Sequence, residues 1–431
     1  MATDIHADAL AAPMPRGTAT EPAAVSNWFF VRYALAYIGT FTALMTPPIL
    51  TLAVRIENID PASKGANLGL VLGLGALAAL ISNPLFGMLS DRTGSRFGRR
   101  RPWMMGGTLV GLAALMIISQ TQSIALIALL WCLAQAAMNA TLAAISAVVP
   151  DQVPEHQRGR VSAISGMATN IGMMVGTGIV ALVGTGGMPM FLWPSLFGMV
   201  TVWLFCFTNA DPAAPASAAA PRRRTGIGTI LGAFWVNPLE FPDFAWAWLS
   251  RFLVFYGIAT LLAYQVYVLI DLFHVAPSGV QNMMFLSTLI TTVMVVIFAS
   301  LAGYQSDKTG KRKVFVFIAA VVFALGLAVM VSLNSLTGFY IGIAIAAAGF
   351  GVYLSIDQAL VVDVLPNRET EAAKNLGVIN IANAVPQTLA PAIAPLIIAL
   401  GGGGNYALLF FVAAAATFCG ALAILPVRGA K

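Results

Sequence analysis

Charge is what this sequence has least of: Asp, Glu, Lys and Arg make up 9% of its 431 residues. A soluble domain carries about 25%, so this chain cannot cover a surface that faces water. Histidine is scarcer still. His6, His156 and His274 are scattered, with no nucleophile or metal set around them, which excludes an enzyme built on a histidine constellation and leaves no metal site. Cys132, Cys206 and Cys419 all fall in apolar runs, so neither a disulfide framework nor a zinc spacing exists and packing roles are expected. No Walker-type phosphate loop is present, and neither ATP drive nor a cofactor is implied.

What is present is apolar. Hydrophobic residues form 59% of the chain, broken by short turns that hold most of the basic residues. The net charge of +6 therefore reads as membrane orientation rather than nucleic-acid binding, and the bilayer is the expected partner. Spanning a bilayer takes about 20 mostly apolar residues. Twelve helices are expected, over 27–54, 66–90, 103–120, 123–149, 160–184, 188–208, 246–272, 280–304, 314–333, 336–362, 376–400 and 405–426. Nineteen of the 23 Lys and Arg fall on one set of loops and tails, and only Arg55 and Lys64 on the opposite set. Both termini are then cytoplasmic, in a multi-pass protein of the cell membrane.

The chain repeats itself. Gly87-Met88-Leu89-Ser90-Asp91-Arg92-Thr93-Gly94-Ser95-Arg96 returns 216 residues later as Gly303-Tyr304-Gln305-Ser306-Asp307-Lys308-Thr309-Gly310-Lys311-Arg312. Asp151-Gln152-Val153-Pro154 and Asp363-Val364-Leu365-Pro366 form a second pair, 212 residues apart. Duplication of this kind makes a carrier of two related halves. The expected organisation is a disordered tail over 1–26, a six-helix bundle over 27–208, a cytoplasmic linker over 209–245 containing Arg222-Arg223-Arg224, a second bundle over 246–426 and a tail over 427–431.

The repeated turn resembles the signature loop of the major facilitator superfamily. Its fuller form, Ser90 to Trp103 with Arg99-Arg100-Arg101-Pro102, is similar to that of the glycoside-pentoside-hexuronide:cation symporters and plant sucrose carriers. The resemblance implies the major facilitator fold: all-α, twelve transmembrane helices in two pseudo-symmetric bundles. It also implies conformational gating by Asp91 with Gly87, Arg92 and Arg96, and by Asp307 with Gly303. In this role Asp91 would engage the start of helix 11 near Asn375, and Asp307 helix 5 near Val161. Two departures matter. Asn83 stands where the cation-coupled sugar branch carries a carboxylate, so sodium coupling by that route is not expected. Helix 5 has Gly172 and Gly176 without the Gly-Pro step of drug antiporters, which reads as close helix packing.

Polar residues in the spans mark a candidate pathway, since amides and hydroxyls facing lipid go unsatisfied. Tyr256, Thr260, Tyr264, Tyr267 and Asp271 share one face of helix 7. Tyr33 and Tyr37 on helix 1, Gln135 and Asn139 on helix 4, Tyr353 on helix 10 and Asn380, Asn383 and Gln387 on helix 11 complete the expected pathway. Interhelical hydrogen bonding is the alternative for each. Asp357 is an intramembrane acid, hence a proton-relay candidate, and Arg251 its expected ion-pair partner. The expected function is secondary transport of a small solute by alternating access, by a monomer. A sugar or glycoside is the leading substrate and protons the candidate coupling ion. Export of an amphiphilic metabolite or drug is the alternative, and a membrane assembly or pigment-delivery factor the next.

Overall fold

The computed structural model describes residues 24–211, 238–364, 372–401 and 404–428. Within the helices, the side chains of Asp307, Val362 and residues 372–377 are outside the described set. The expected tail over 1–26, apart from its last three residues, most of the 209–245 linker with its three arginines, Asn375 as a partner and the final residues 429–431 therefore lie outside the described residues.

Among the described residues, twelve helices long and apolar enough to cross a membrane follow one another. They are α1 (Asn27–Ile59), α2 (Lys64–Asp91), α3 (Arg101–Gln120), α4 (Ile124–Gln152), α5 (Glu155–Val183), α6 (Pro189–Thr208), α7 (Pro242–Leu272), α8 (Val280–Thr309), α9 (Arg312–Ser332), α10 (Leu336–Asp363), α11 (Ala372–Ile398) and α12 (Tyr406–Ala423). Away from the internal prolines the helices satisfy their own backbones, as a low-dielectric surrounding demands. Their outer faces carry exposed Leu129, Leu182, Phe207 and Leu301, residues that water would penalise and lipid does not. Side-chain caps fix several starts: Ser26, Ser123, Ser335 and Asn405 accept from the N–H three residues on, each worth about 0.5–2 kcal/mol.

The boundaries depart from expectation where proline acts. Pro47-Pro48 does not end α1; a π-helical turn over Pro47–Thr51 absorbs the missing N–H groups, and the helix continues to Ile59. Pro242 opens α7 four residues before the apolar run, at the position where a lost N–H costs nothing. A second π-turn, Val268–Leu272, ends α7, so the first helix of each half carries one.

Packing follows the sequence repeat. In the first half α1 packs on α5 and α6, α4 on α2 and α3, and α3 on α6; the same pairs recur six helices later among α7–α12. The halves meet through α2 with α11 and α5 with α8. Gly172 and Gly176 let α5 settle onto α1: a Cβ on Gly172 would lie 2.7 Å from Phe41 Cβ, and one on Gly176 would overlap the Thr46 hydroxyl. Cys206 is buried, but Cys419 lies exposed on α12, so only the former is a packing residue.

Candidate functional site

The two ends of the helix assembly are built differently. On α2, burial is concentrated between Lys64 and Gly75; beyond Gly75 only Ser82 and Ser90 are buried. At the Lys64 end, Lys64 Nζ lies 2.8 Å from Glu57 Oε2 in its own bundle and 2.5 Å from Asp271 Oδ1 in the other. It also sits 5.2 Å from the centre of the Tyr267 ring. Below this, the Tyr267 hydroxyl donates to the carbonyl of Ala53 at 3.1 Å. The Tyr264 hydroxyl reaches the carbonyls of Gly65 and Pro391, each at 3.3 Å. The Pro391 carbonyl is free to accept because Pro395, four residues on, has no N–H to give it. Gly69 permits the approach: a Cβ there would fall 2.3 Å from the same carbonyl. In the loop that delivers α2, the Ser63 N–H and then the Asn67 amide bond Asp60, holding its carboxyl below the usual range.

Cross-bundle contacts continue to mid-span between α5 and α8. Thr177 and Thr288 share a hydrogen bond of 2.6 Å, and the Thr292 hydroxyl donates to the Asn170 carbonyl at 3.2 Å. Toward the other end, ion pairs close within a bundle. Arg100, 4% exposed, contacts Asp91 at 2.6 Å and Asp151 at 3.0 Å, and donates to the Ser90 hydroxyl. Arg99 adds a 2.6 Å contact to Asp151. Arg312 repeats the pattern with Asp363 at 2.6 Å in the second bundle. The backbone N–H groups of Arg100 and Arg101 donate to Asp211, a carboxylate at the start of α3.

Between the ends lies a cavity of about 400 Å³ whose walls come from both bundles. A narrower extension of about 90 Å³ leads on toward the closed end past Trp131 and Gln135. Among the described residues, no charged side chain lines either space.

The expected pathway residues separate into groups. Gln387 lines both spaces and Gln135 the narrow one. Asn139 donates to the Gln135 carbonyl at 2.9 Å and accepts from Asn83 at 3.2 Å, forming an amide chain beside them. Tyr256 packs with Ala259 and Ala390, and Thr260 spends its hydroxyl on the Tyr256 carbonyl. Tyr264 belongs to the closed end. Tyr33 stacks on Phe29 and meets Tyr37 at a tilt inside the first bundle, where the Tyr37 and Ser146 hydroxyls meet at 3.2 Å. Tyr353 is fully buried in the second bundle. Asn380 is exposed on α11.

Arg251 and Asp357 come together at 2.5 Å, each with 8% of its side chain exposed. Asn383 accepts from Arg251 Nε at 2.6 Å, and Gln358 from Nη2 at 3.4 Å. Arg32, the matching cation of α1, instead bonds the carbonyls of Trp28 and Thr208. Of the gating set, Asp91 is 60% exposed on Arg100, Arg92 is exposed, and Arg96 stacks on Phe97. Gly87 and Gly303 face open space, with nothing within 4 Å of a built Cβ.

Sequence reading missed three things. Arg100 is the centre of its cluster, and the available signal was that it precedes Asp151 by 51 residues as Arg312 precedes Asp363. Lys64 reads in the sequence as a loop charge, and nothing in the sequence ties it to Glu57 of α1 or to Asp271 at the end of the α7 stripe. The cavity's aromatic lining carried no signal, because Phe, with 25 copies the commonest aromatic, recurs throughout the apolar runs.

The fold and cavity define a twelve-span membrane protein of two repeated bundles with a central chamber. The profile of the Major Facilitator Superfamily matches residues 29–295 and 247–431, and the chain belongs to that superfamily. Among curated proteins it is 44% identical over 77 residues to an uncharacterized symporter of Synechocystis sp., covering 17% of this chain and 14% of that protein. It is 30% identical over 207 residues to an MFS antiporter of Candida albicans, covering 46% and 36%. With the general alpha-glucoside permease of Schizosaccharomyces pombe the identity is 26% over 148 residues, covering 31% and 26%. The chain thus matches well under two thirds of the length of these relatives. Solved structures match along nearly their whole length: the nucleoside transporter NupG at TM-score 0.74 and 15% identity, covering 93% of this chain and 99% of that one. A D-xylose-proton symporter follows at 0.66 and 15%, covering 94% and 100%. The family and these neighbours are those of transporters, not enzymes.

Proposed function

We propose that this protein is a secondary transporter that moves a small neutral solute by alternating access, a sugar or glycoside being the leading class. One observation carries the reading: among the described residues, an uncharged chamber walled by both bundles is latched across the bundles by an ion pair at one end, and the ion pairs at the other close within a bundle. Rocking the bundles would exchange the latched end. The basic loops favour a cytoplasmic Asp91 end, and on that reading this is the inward-facing member of the cycle. Gly87, Asp91, Arg92 and Arg96, with Gly303 and Asp307, form the gate that closes in the opposite state. The alpha-glucoside permease and the xylose symporter support the sugar class, and the Candida antiporter supports the second reading, export of an amphiphile.

Coupling to protons runs through Asp357. Its ion pair with Arg251 is buried where a carboxylate is costly, and Asn383 ties that pair to α11, which also carries the cavity residue Gln387. Protonating Asp357 frees Arg251 and loosens that link. Counterflow in proteoliposomes tests transport: preloaded solute should accelerate entry of labelled solute. Asp357→Asn should keep counterflow and lose its acceleration by an inward proton gradient. Unchanged gradient dependence in that variant removes Asp357 from coupling.

A further inference from the structure

The walls of the chamber are not alike, and the difference describes the solute. One wall is a polar strip on α5: Ser165 and Thr169, four residues apart on one face, with Asn170 beside them. The facing wall, from α7, α9 and α10, is apolar and largely aromatic, with Phe255, Phe323, Ile343 and Phe350. Phe323 and Phe350 lie 6.4 Å apart as a tilted pair, with Phe350 half-buried at the chamber and Phe323 buried behind it. Asn170 is 4% exposed, and its Oδ1 has no hydrogen-bond partner. A buried acceptor left unpaired is costly, and a donor brought by the solute to this wall would satisfy it. With no charge on the lining among the described residues, an ion finds no counter-group there.

We infer that the chamber binds a neutral two-faced solute, whose apolar ring system lies on the Phe255–Phe323–Phe350 wall while a hydroxyl or N–H donor on its opposite edge meets the Asn170 strip of α5. The inference rests on the transport reading and narrows it: an aryl glycoside or another ring-bearing amphiphile fits, and a free sugar with hydroxyls on every edge does not. A free sugar would set several hydroxyls against phenyl rings without partners, losing more hydration than the strip returns. The chamber's volume lies within the range of about 300–1,000 Å³ usual for drug-sized ligands.

Three probes separate the two walls: 2-naphthol, 2-methoxynaphthalene, which keeps the ring but lacks the donor, and glucose. Binding to the purified full-length protein is read as a concentration-dependent rise in melting temperature. 2-Naphthol should bind about tenfold more tightly than 2-methoxynaphthalene, the scale of one satisfied buried acceptor. Asn170→Leu should erase that tenfold preference while still binding the methoxy probe. Phe323→Leu, which keeps an apolar side chain, should weaken both naphthalenes together by several fold and leave the preference intact. Each variant is first matched to the wild type for melting temperature without probe. Equal binding of the two naphthalenes to the wild type overturns the inference, as does a preference that survives Asn170→Leu. Binding of glucose alone, or of no probe, overturns it too. Counterflow of a bound probe tests transport separately: binding with the predicted preference but no flux upholds the site and sinks the transport reading.

Discussion

The two ends of this protein use one device and obtain opposite results. At each, a nearly buried cation is shared by two carboxylates: Lys64 by Glu57 and Asp271, Arg100 by Asp91 and Asp151. The Lys64 acids belong to different bundles, so the cation latches the halves. The Arg100 acids belong to one bundle, so the same chemistry only stiffens it. Distances of 2.5–3.0 Å at both ends show that the strength of the contacts does not decide closure. The helix that supplies the second acid does. A rocking mechanism needs this asymmetry, because identical latches at both ends would lock the solute inside.

The largest effect should come from removing the shared cation at the closed end. Lys64→Met leaves Glu57 and Asp271 facing each other without a counter-charge. Breaking a buried pair costs about 3–5 kcal/mol, and the 28% exposure of the Asp271 side chain puts this case at or below the lower figure. The expected outcome is a shift toward the state open at the Lys64 end. Paired spin labels across α1 and α7, in a background lacking Cys132, Cys206 and Cys419, would read it as a longer distance. Replacing all three residues together, Glu57→Gln, Lys64→Met and Asp271→Asn, should restore closure, since no unpaired charge remains. An unchanged distance in Lys64→Met would dissolve the contrast between the ends.

Two glycines sharpen the same contrast at a smaller scale. A Cβ on Gly69 would meet the Pro391 carbonyl, whereas one on Gly87 meets nothing. Gly69→Ala should therefore cost about 1–3 kcal/mol, as overpacking does, and lower the melting temperature. Gly87→Ala in the same helix should hold or raise it, by up to about 1 kcal/mol of helix propensity. If Gly87 gives the bundles room to close at the Asp91 end, that variant will nonetheless slow counterflow. Equal melting temperatures for the two variants would mean that the α2–α11 approach at Gly69 is looser than the geometry shows.

Much of this was legible in the residues. Twelve apolar runs, the repeat at Gly87 and Gly303, and the Arg251–Asp357 pairing could all be read because membrane burial makes hydropathy and isolated charges speak plainly. The chamber could not. Tyr33, Tyr37 and Tyr353 sit on helix faces that turn inward within a bundle, and a face angle does not tell an intra-bundle core from an inter-bundle cavity. Tyr264 was read as pathway lining and lies in the seal, because its acceptor at Pro391 is freed by a proline on another helix, and no pattern within α7 records that. The polar strip on α5 is short and ordinary in composition; only its position opposite Phe323 and Phe350 gives it meaning.

The smallest effect on stability should come from Asp91, and there stability and transport should part. Its carboxylate is 60% exposed, and Arg100 keeps Asp151 when it is lost, so Asp91→Asn should cost no more than about 0.2–1 kcal/mol. Asp151→Asn strips two arginines of their common acid and should cost more. If Asp91 serves only to stiffen the loop, its variant will transport as well as the wild type. If instead it leaves Arg100 to meet the opposite bundle when the Asp91 end closes, the Asn side chain cannot take up that charge-assisted contact. Counterflow should then fall at least tenfold while the melting temperature barely moves. Measuring both in one preparation decides between a strut and a latch whose partner is engaged only in the other state.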